Sequence, residues 1–500
     1  MNTQKITLLG LVILMMATNC DSLEYRPDDQ LTADVVKESP QLLKDITDGN
    51  YSTLRTRNYI RNRHFTQEMT SDDVLLVKST GDNLMLTYAF EHNVNHDRAR
   101  QLWQTTYRGL YPVNQVIESI SDDASEDRLQ LKGENLFIRA LMHFDLVRIF
   151  GRPYSQNPEE NLGVMIRDNT DTKALPPRST VEETYQFIVN DLLKAAELMS
   201  EEKSSIYASK EVAFALLARM YLYMGQYENA IEYADKVINS GRYELLPTEQ
   251  FGDYFTILPE NNSETIFAIK LMESENMEKG SIGSMYHGLD GGWGEIYASA
   301  SYRELIYQHE NDERINFIDP HYIYDENGNR IPDSSEDSGY QVEKRNGYSK
   351  YYINKYTGEG GVPLLSSPIV LRLAEMYLIK AEAYAKTNRE DEAIDMVNMI
   401  RERAGLSGNQ LYSINDLKGY DTVLDVVLVE KRLELAWEGH RSYDMFNNNR
   451  PIDRSYVNPT GWSGPSGEVS PTCDCIPHLI PEEEIILNSN LEQNPIHPGF

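Results

Sequence analysis

Three glutamates are the first candidates for chemistry, because a pair of carboxylates can act as general acid and general base. Glu430, Glu434 and Glu438 follow one another at intervals of four residues and therefore share one face of a helix. A glycosidase needs two carboxylates on opposite sides of its ligand, and one helix face does not provide them. Arg432 and Arg441 lie nearby in the chain. The pattern predicts ion pairs that hold this helix to its neighbours, and we assign no catalytic residue.

The chain carries none of the common catalytic motifs. It has no zinc-binding helix motif, nucleophile elbow, phosphate loop or dinucleotide fingerprint, and its ten histidines are scattered. We therefore expect a binding protein and not an enzyme. Two alternatives of other classes stay open: a glycan hydrolase or protease on a helical scaffold, and a purely structural repeat adaptor.

One segment has the oxygen-ligand spacing of a calcium loop. Its acidic and amide side chains occupy positions 1, 3, 5, 9 and 12, as in an EF-hand. Arg330 stands where the sharp turn needs glycine, and no flanking helix is evident. The segment is therefore interpreted as a solvated polar turn, and we predict no metal and no cofactor. The residues concerned are Asp325, Asn327, Asn329, Asp333 and Glu336.

Two of the three cysteines, Cys473 and Cys475, lie near the C terminus and are separated by one residue. A disulfide between them would close a small strained ring. A metal site would need more ligands than the neighbouring sequence supplies. The spacing therefore favours two free thiols in a loop.

The first twenty residues have the pattern of an export signal. Lys5 precedes the apolar stretch 6–16, which is too short to span a bilayer, and small residues precede Cys20. An acidic run follows Cys20, as in bacterial lipoproteins whose cysteine is acylated. We predict a signal peptide at residues 1–19, lipidation of Cys20 and a polar tether at residues 20–35. Ordinary secretion, with Cys20 removed or unmodified, is the alternative.

The elements that position these residues form a helical repeat. A helix-turn-helix module at residues 218–238 recurs at 381–401, with Ala218 matching Ala381 and Ala230 matching Ala393. Small residues at these points let paired helices approach closely, as in tetratricopeptide (TPR) repeats. We predict an all-α, TPR-like scaffold. It forms a single domain at 36–500, with an N-terminal part at 36–330, TPR-like helices around 128–240, a long irregular insertion at 243–368, and a helical and extended part at 369–500.

Composition limits the partners of this scaffold. The formal net charge is −31, or −32 once the signal with Lys5 is removed, so nucleic acid is excluded as a partner. The chain has 32 Tyr, 13 Phe and 4 Trp, and rings with a polar tip suit wet recognition surfaces. Trp103 and Trp437 lie on helical stripes and are expected in the core, whereas Trp462 lies in a glycine-rich tail.

Several ordered motifs resemble the SusD/RagB family of outer-membrane nutrient-binding lipoproteins. The resemblance runs from Cys20 to the closing segment, and the matching residues include Trp103, Tyr107, Asn114, Glu134, Arg139, Arg372, Glu375, Glu430, Glu434, Arg441, Asp444, Pro481, Asn488 and Pro495. It implies a lipid-anchored protein on the bacterial outer membrane that delivers oligosaccharides, or in some members peptides, to a TonB-dependent transporter without changing them covalently.

The resemblance also implies an arc of ligand-binding aromatic residues from two regions. The first precedes the Trp103 helix, where an acidic pair ends at Asp73 and aromatic residues alternate as in an exposed extended segment. The second lies in the insertion, where Trp293 stands between glycines that offer it little packing. We predict ligand contacts from Asp73, Tyr88, Phe90, Tyr286, Trp293 and Tyr297.

Overall fold

The computed structural model describes residues 39–77, 83–455 and 467–496. Among their helices, none is both long enough and apolar enough to cross a membrane. The predicted signal peptide, Cys20, the tether and Trp462 lie outside the described residues.

The part of the chain before the insertion is built from helices. Thr180 and Glu183 lie three residues apart, a spacing that predicts a capping box, and the structure confirms it because each side chain accepts the backbone N–H of the other residue. The elements are α1 (Pro40–Arg55), α2 (Arg57–Glu68), β1 (Val74–Leu76), α3 (Leu84–Tyr88), α4 (Asp97–Ser119), α5 (Glu126–Phe150), α6 (Val181–Leu198), α7 (Lys210–Tyr223) and α8 (Tyr227–Ile238).

The insertion consists of short elements joined by turns, as predicted. It contains α9 (Thr248–Phe251), β2 (Thr265–Ala268), α10 (Ile282–Tyr286), β3 (Ile296–Ala298), α11 (Ala300–Ile306), β4 (Ile318–Pro320), β5 (Lys344–Arg345), β6 (Tyr348–Ser349) and β7 (Tyr351–Ile353). β4 pairs with β7 and β5 with β6, all antiparallel.

Helices return after the insertion, although not at residue 369 as the sequence indicated. The apolar run there forms β8 (Ile369–Arg372), which pairs with β2, and the helix begins at Leu373. The remaining elements are α12 (Leu373–Lys386), α13 (Glu390–Arg403), α14 (Val423–Leu435), α15 (Arg441–Asn447), β9 (Ile452–Asp453), β10 (Glu468–Val469) and α16 (Glu482–Leu487).

The repeated helical hairpins are confirmed as α7–α8 and α12–α13, and α8 packs against α12. The four matched alanines of the two modules are fully buried at the helix crossings. The turns match as well, because Gly225 and Asn388 occupy the same position and both have positive φ, 69° and 58°. The protein therefore has the predicted TPR-like helical fold.

A buried ion-pair network holds α14 to its neighbours. Glu430 accepts from Arg314 (2.6 Å) and from Arg401 (2.8 Å), while Glu434 contacts Arg372 and Arg403. Burial alone would raise the pKa of Glu434, but Arg403, Arg372 and Arg314 hold this pKa well below its usual value. The structural interpretation of the glutamate series is confirmed.

The structure corrects one sequence-based interpretation and supports another. Cys473 and Cys475 form a disulfide and are not free thiols, because a turn brings their Cα atoms to 5.1 Å. The calcium-like segment is an exposed β-hairpin, in which the Asp325 carboxylate accepts the backbone N–H groups of Asn327 and Asn329. A polar turn explains its composition.

Candidate functional site

A short antiparallel strand pair joins the two regions that were expected to form the site. Val74 of β1 lies opposite Ala298 of β3, and Leu76 lies opposite Ile296. The pairing continues on both sides of the strands, where Ser299 N–H donates to the Asp73 carbonyl and Val77 N–H to the Glu295 carbonyl. Residues more than 200 positions apart in the chain are thus brought to one place.

The prediction that Asp73 contacts ligand is wrong, because its side chain is fully buried. Arg432 Nε donates to Asp73 Oδ1 across 2.6 Å, and Arg441 Nε donates to Asp72 Oδ1 across 2.8 Å. Burial favours a raised pKa for Asp72, but Arg441 and Arg432 lower this pKa instead. The acidic pair therefore ties β1 to α14 and α15 inside the protein.

Tyr88 and Phe90 are also buried, so their prediction as ligand contacts is wrong. The expected exposed strand is the short helix α3, and Phe90 follows it with a φ of 56° that turns the chain inward. The guanidinium group of Arg454 lies 4.4 Å from the Tyr88 ring centroid and donates to the Tyr88 carbonyl. Phe90 packs against Phe446 and Ile452. Apolar alternation here reflects packing against distant segments.

Tyr286 and Tyr297 are buried in the insertion, so the prediction that these two residues contact ligand is also wrong. The Tyr286 hydroxyl lies 2.7 Å from Nε2 of His64, and its ring stacks on Tyr356. Tyr297 packs edge-on against Tyr352. Both rings support the loop that lies between them in the chain.

Trp293 lies in that loop, and 48% of its surface is exposed. Its backbone N–H donates to the Ser284 carbonyl across 2.6 Å, so the position is fixed although the ring is open to solvent. The neighbouring glycines are needed for this geometry, because a Cβ at Gly292 would lie 2.0 Å from the His287 carbonyl and Gly294 has a φ of 50°. The protein thus presents a flat aromatic face from a rigid loop.

Lys279 borders the exposed ring. Its Nζ lies 5.4 Å from the Trp293 ring centroid, and its carbonyl accepts from Nε1 of Trp293 across 3.2 Å. Arg345 donates to the Trp293 carbonyl across 2.7 Å and forms an ion pair with Glu295. One cationic side chain therefore borders the ring, and a second one holds its backbone.

A polar recess of about 320 Å³ adjoins this loop. The connection is Gly280, because a Cβ at that residue would lie 3.6 Å from Nε of Arg57. The recess lies between α2 and the start of α4, and Asn62 there donates to Gln101 across 3.1 Å. Its lining residues are Arg57, Asn58, Arg61, Asn62, Asn83, Asp97, Arg98 and Gln101.

The recess was not among the features predicted from the sequence. Arg57, Asn58, Arg61 and Asn62 occupy i and i+4 positions of α2, so polar side chains line one face of a helix whose later residues are almost all buried. That polar face was the available signal. The recess supplies amide, guanidinium and carboxylate groups, and Trp293 supplies an exposed aromatic face; groups of these kinds can bind the hydroxyl groups and the ring of a sugar.

A second recess, of about 730 Å³, lies beyond Leu289. It is lined by aromatic and polar residues that include Tyr322, Tyr324, Asp319 and Arg330. Tyr324 is 55% exposed, more than Trp293. Tyr324 therefore offers an internal comparison for any binding experiment.

The structure defines a class: helical repeat proteins with a loop-rich insertion that presents an exposed aromatic ring. Residues 21–222 match a family model described as SusD-like, starch-binding associating with outer membrane, and residues 263–497 match the SusD family model. The chain belongs to the SusD/RagB family.

Individual relatives agree with this assignment. SusD-like protein P2 of Formosa agariphila is 25% identical over 100% of both chains. A SusD superfamily protein from Bacteroides thetaiotaomicron has a TM-score of 0.78 at 27% identity, covering 91% of this chain and 100% of that one. A structure described as a putative sugar binding protein, from Bacteroides vulgatus, has a TM-score of 0.76 at 27% identity, covering 91% and 98%.

Proposed function

We propose that this protein is an outer-membrane lipoprotein that binds an oligosaccharide or polysaccharide on the cell surface and passes it, chemically unchanged, to a TonB-dependent transporter. The observation that carries the proposal is the exposed ring of Trp293, whose backbone is held by hydrogen bonds to the Ser284 carbonyl and hydroxyl. Family membership supports it, because one matching model is described as starch-binding and associated with the outer membrane.

The geometry favours stacking as the main contact. The apolar C–H face of a pyranose can cover the Trp293 ring while its hydroxyl groups reach donors and acceptors at the edge. Lys279 lies beside the ring, and the next residue, Gly280, lies close to Arg57, which lines the recess. No cofactor is needed for such binding, and the glutamates that resembled acid–base residues are held in ion pairs.

Anchoring through acylated Cys20 and partnership with a transporter complete the proposal. The tether after Cys20 would let the domain lie above the transporter and release ligand into it. Isolation of the intact lipoprotein from native membranes with a C-terminal tag tests this arrangement. We expect a TonB-dependent transporter to co-purify in detergent, and repeated isolation without one would contradict the partnership.

Ligand class is tested with the purified chain beginning at residue 21. A panel of polysaccharides and a peptide mixture are screened by affinity electrophoresis and calorimetry, and each bound ligand is recovered and its mass determined. We expect saturable binding to a glycan that is recovered unchanged. Binding to peptides alone would favour the peptide receptor of the same architecture, and shortened glycan products would show an enzyme.

A further inference from the structure

Three histidines from distant parts of the chain meet inside the protein. His92 and His96 precede α4, whereas His478 lies in the C-terminal segment, and all three are buried. Each offers one ring nitrogen, and these three nitrogens lie within 4.8 Å of one another. The cluster is separate from the Trp293 site, whose residues it does not share.

Two of the three rings lack hydrogen-bond partners. Both ring nitrogens of His92 and both of His478 are buried without a hydrogen bond of acceptable geometry in the described part of the chain. The two rings lie nearly parallel, with centroids 3.7 Å apart and planes inclined by 27°. Leaving a buried polar group without a hydrogen bond is unfavourable, so four such nitrogens together require an explanation.

The two rings are held in the neutral form, which is the form that binds metal. Burial lowers the pKa of His92 to about 3, with a further contribution from His96, while the Ile476 backbone acts weakly in the opposite direction. Burial, His92 and His96 lower the pKa of His478 in the same way. Protonation therefore does not relieve the missing hydrogen bonds near neutral pH.

His96 is already engaged. Its Nδ1 accepts the backbone N–H of Ala99 at the start of α4, and its Nε2 lies 2.9 Å from Oγ1 of Thr87. A neutral imidazole has one acceptor nitrogen, so His96 can complete a set of three ligands only by giving up one of these bonds. Among the described residues, His478 has no such bond to give up, and His92 has only its weak contact with the Ile476 backbone.

We propose that His92 and His478, with His96 as a third and weaker ligand, form a binding site for a late first-row divalent metal ion such as Zn²⁺ or Ni²⁺. A set of imidazoles without a carboxylate selects such ions over Ca²⁺ and Mg²⁺. Zinc–nitrogen bonds of about 2.1 Å place two ligand nitrogens at most about 4.2 Å apart, so the nitrogens need to approach one another by less than about 1 Å. Because the nitrogen lone pairs lie in the ring planes, the stacked rings of His92 and His478 must also rotate out of their nearly parallel arrangement to point at one ion.

A metal ion here would join the C-terminal segment to the helical core. The backbone N–H of His478 donates to the Ile149 carbonyl at the end of α5, and the Asn494 side chain donates to the His478 carbonyl. The ion would add a bond from this segment to the residues that precede α4. Its binding should therefore stabilise the folded protein in proportion to its concentration.

The test uses the untagged chain from residue 21, stripped with EDTA and dialysed against metal-free buffer. Thermal unfolding is followed with ZnCl₂, NiCl₂ or CaCl₂, and stoichiometry is measured by calorimetry. We expect one Zn²⁺ or Ni²⁺ per chain and a rise in Tm of about 2 °C or more, with no rise for Ca²⁺. If neither Zn²⁺ nor Ni²⁺ raises the Tm of the wild-type protein, the proposal is wrong.

Variants locate the site. His92→Gln and His478→Gln should each weaken Zn²⁺ binding at least tenfold, His96→Gln should weaken it less, and His309→Gln outside the cluster should leave it unchanged. An equal Tm rise in the His92→Gln/His478→Gln double variant would place the ion elsewhere and overturn the proposal. If these variants fold poorly, the electron paramagnetic resonance spectrum of Cu²⁺ bound to the wild type decides, since nitrogen hyperfine splitting is expected and its absence would contradict imidazole ligation.

Discussion

Arg432 donates to the carboxylate of Asp73 across 2.6 Å and joins residues 359 positions apart. The bond connects the loop before β1 to α14, and Trp437 Nε1 reinforces it by donating to the Asp73 carbonyl across 3.0 Å. Because β1 pairs with β3, the same tie also fixes the strand that leads out of the Trp293 loop. Buried residues outside the Trp293 loop, among them Asp73 and Arg432, thus help to fix the position of the exposed Trp293 ring.

Replacing Asp73 should therefore destabilise the protein. Asp73→Ala removes the nearer carboxylate of the buried Arg432, which keeps Asp72 only at 3.5 Å, and breaking one side of a buried ion pair costs up to about 3–5 kcal/mol of unfolding free energy. Urea denaturation followed by far-UV circular dichroism measures the loss. Asp122→Ala is the matched control, because Asp122 pairs with Lys132 but its side chain is 74% exposed, and we expect little change there. Equal stability of the Asp73 variant and wild type would contradict the structural role.

Glu68 should make the folded protein less stable as the pH rises. Burial, followed by the charge of Asp73, raises the pKa of Glu68 from 4.5 to about 8. A carboxyl group with a raised folded pKa favours folding while it is protonated, so its contribution is fully present below the unfolded pKa and declines as pH rises towards about 8. The wild type should lose unfolding free energy relative to Glu68→Gln across pH 4.5–8, by a few kcal/mol in total.

Urea denaturation of the two proteins at several pH values measures this difference. Glu326→Gln, in the exposed hairpin turn, serves as the control and should follow the wild type at every pH. A constant difference between wild type and Glu68→Gln from pH 4.5 to 8 would mean that Glu68 keeps the same protonation state in the folded and unfolded chains.

Local patterns predicted the helices better than they predicted the site. The capping box of Thr180 and Glu183 and the matched alanines of the repeats depend on neighbours within a few turns, and they were confirmed. Trp103 lies on α4 and is fully buried, as predicted. Trp437 is fully buried as well, but it follows the end of α14 with a φ of 64° and does not lie on the helix. For such residues the sequence spacing contains most of the physical information.

The candidate site depends on contacts that sequence spacing does not contain. Asp73 was predicted to contact ligand at the surface because its partner Arg432 is remote in the chain. Tyr88 was predicted to do the same, but it is covered by Arg454, which is also remote. Trp293 was recognised as exposed because its glycine neighbours are local. Even where local spacing marked a polar helix face, as in α2, the recess itself became visible only when α2 and the start of α4 came together.

Lipidation of Cys20 makes a separate prediction about location. In the native type of host, wild type should take up a labelled fatty acid and sediment with the outer membrane. Cys20→Ser should lose the label and appear in the soluble fraction after export, because a single apolar stretch that is cleaved off leaves no anchor. Cys475→Ser, which changes a cysteine of the C-terminal disulfide, is the control and should keep the label. Membrane retention of an unlabelled Cys20→Ser variant would show another means of attachment.

Replacing Trp293 should separate ligand binding from stability. Trp293→Ala removes an exposed ring whose loop is held by backbone bonds to Ser284, so we expect a change in Tm of less than about 2 °C. Glycan affinity should fall at least tenfold, equivalent to about 1.4 kcal/mol of binding free energy, because the stacking surface is lost. Calorimetry with the best glycan from the ligand panel measures the affinity, and differential scanning calorimetry measures Tm.

Tyr324→Ala is the matched control for this variant. Tyr324 is also exposed and aromatic but lines the second recess, so its removal should leave glycan affinity within about twofold of wild type. The opposite result, with Tyr324→Ala weak and Trp293→Ala normal, would move the site to the second recess. A large loss of Tm in Trp293→Ala would instead mean that the ring supports its own loop, since a ring that is free to stack on a sugar contributes little to folding.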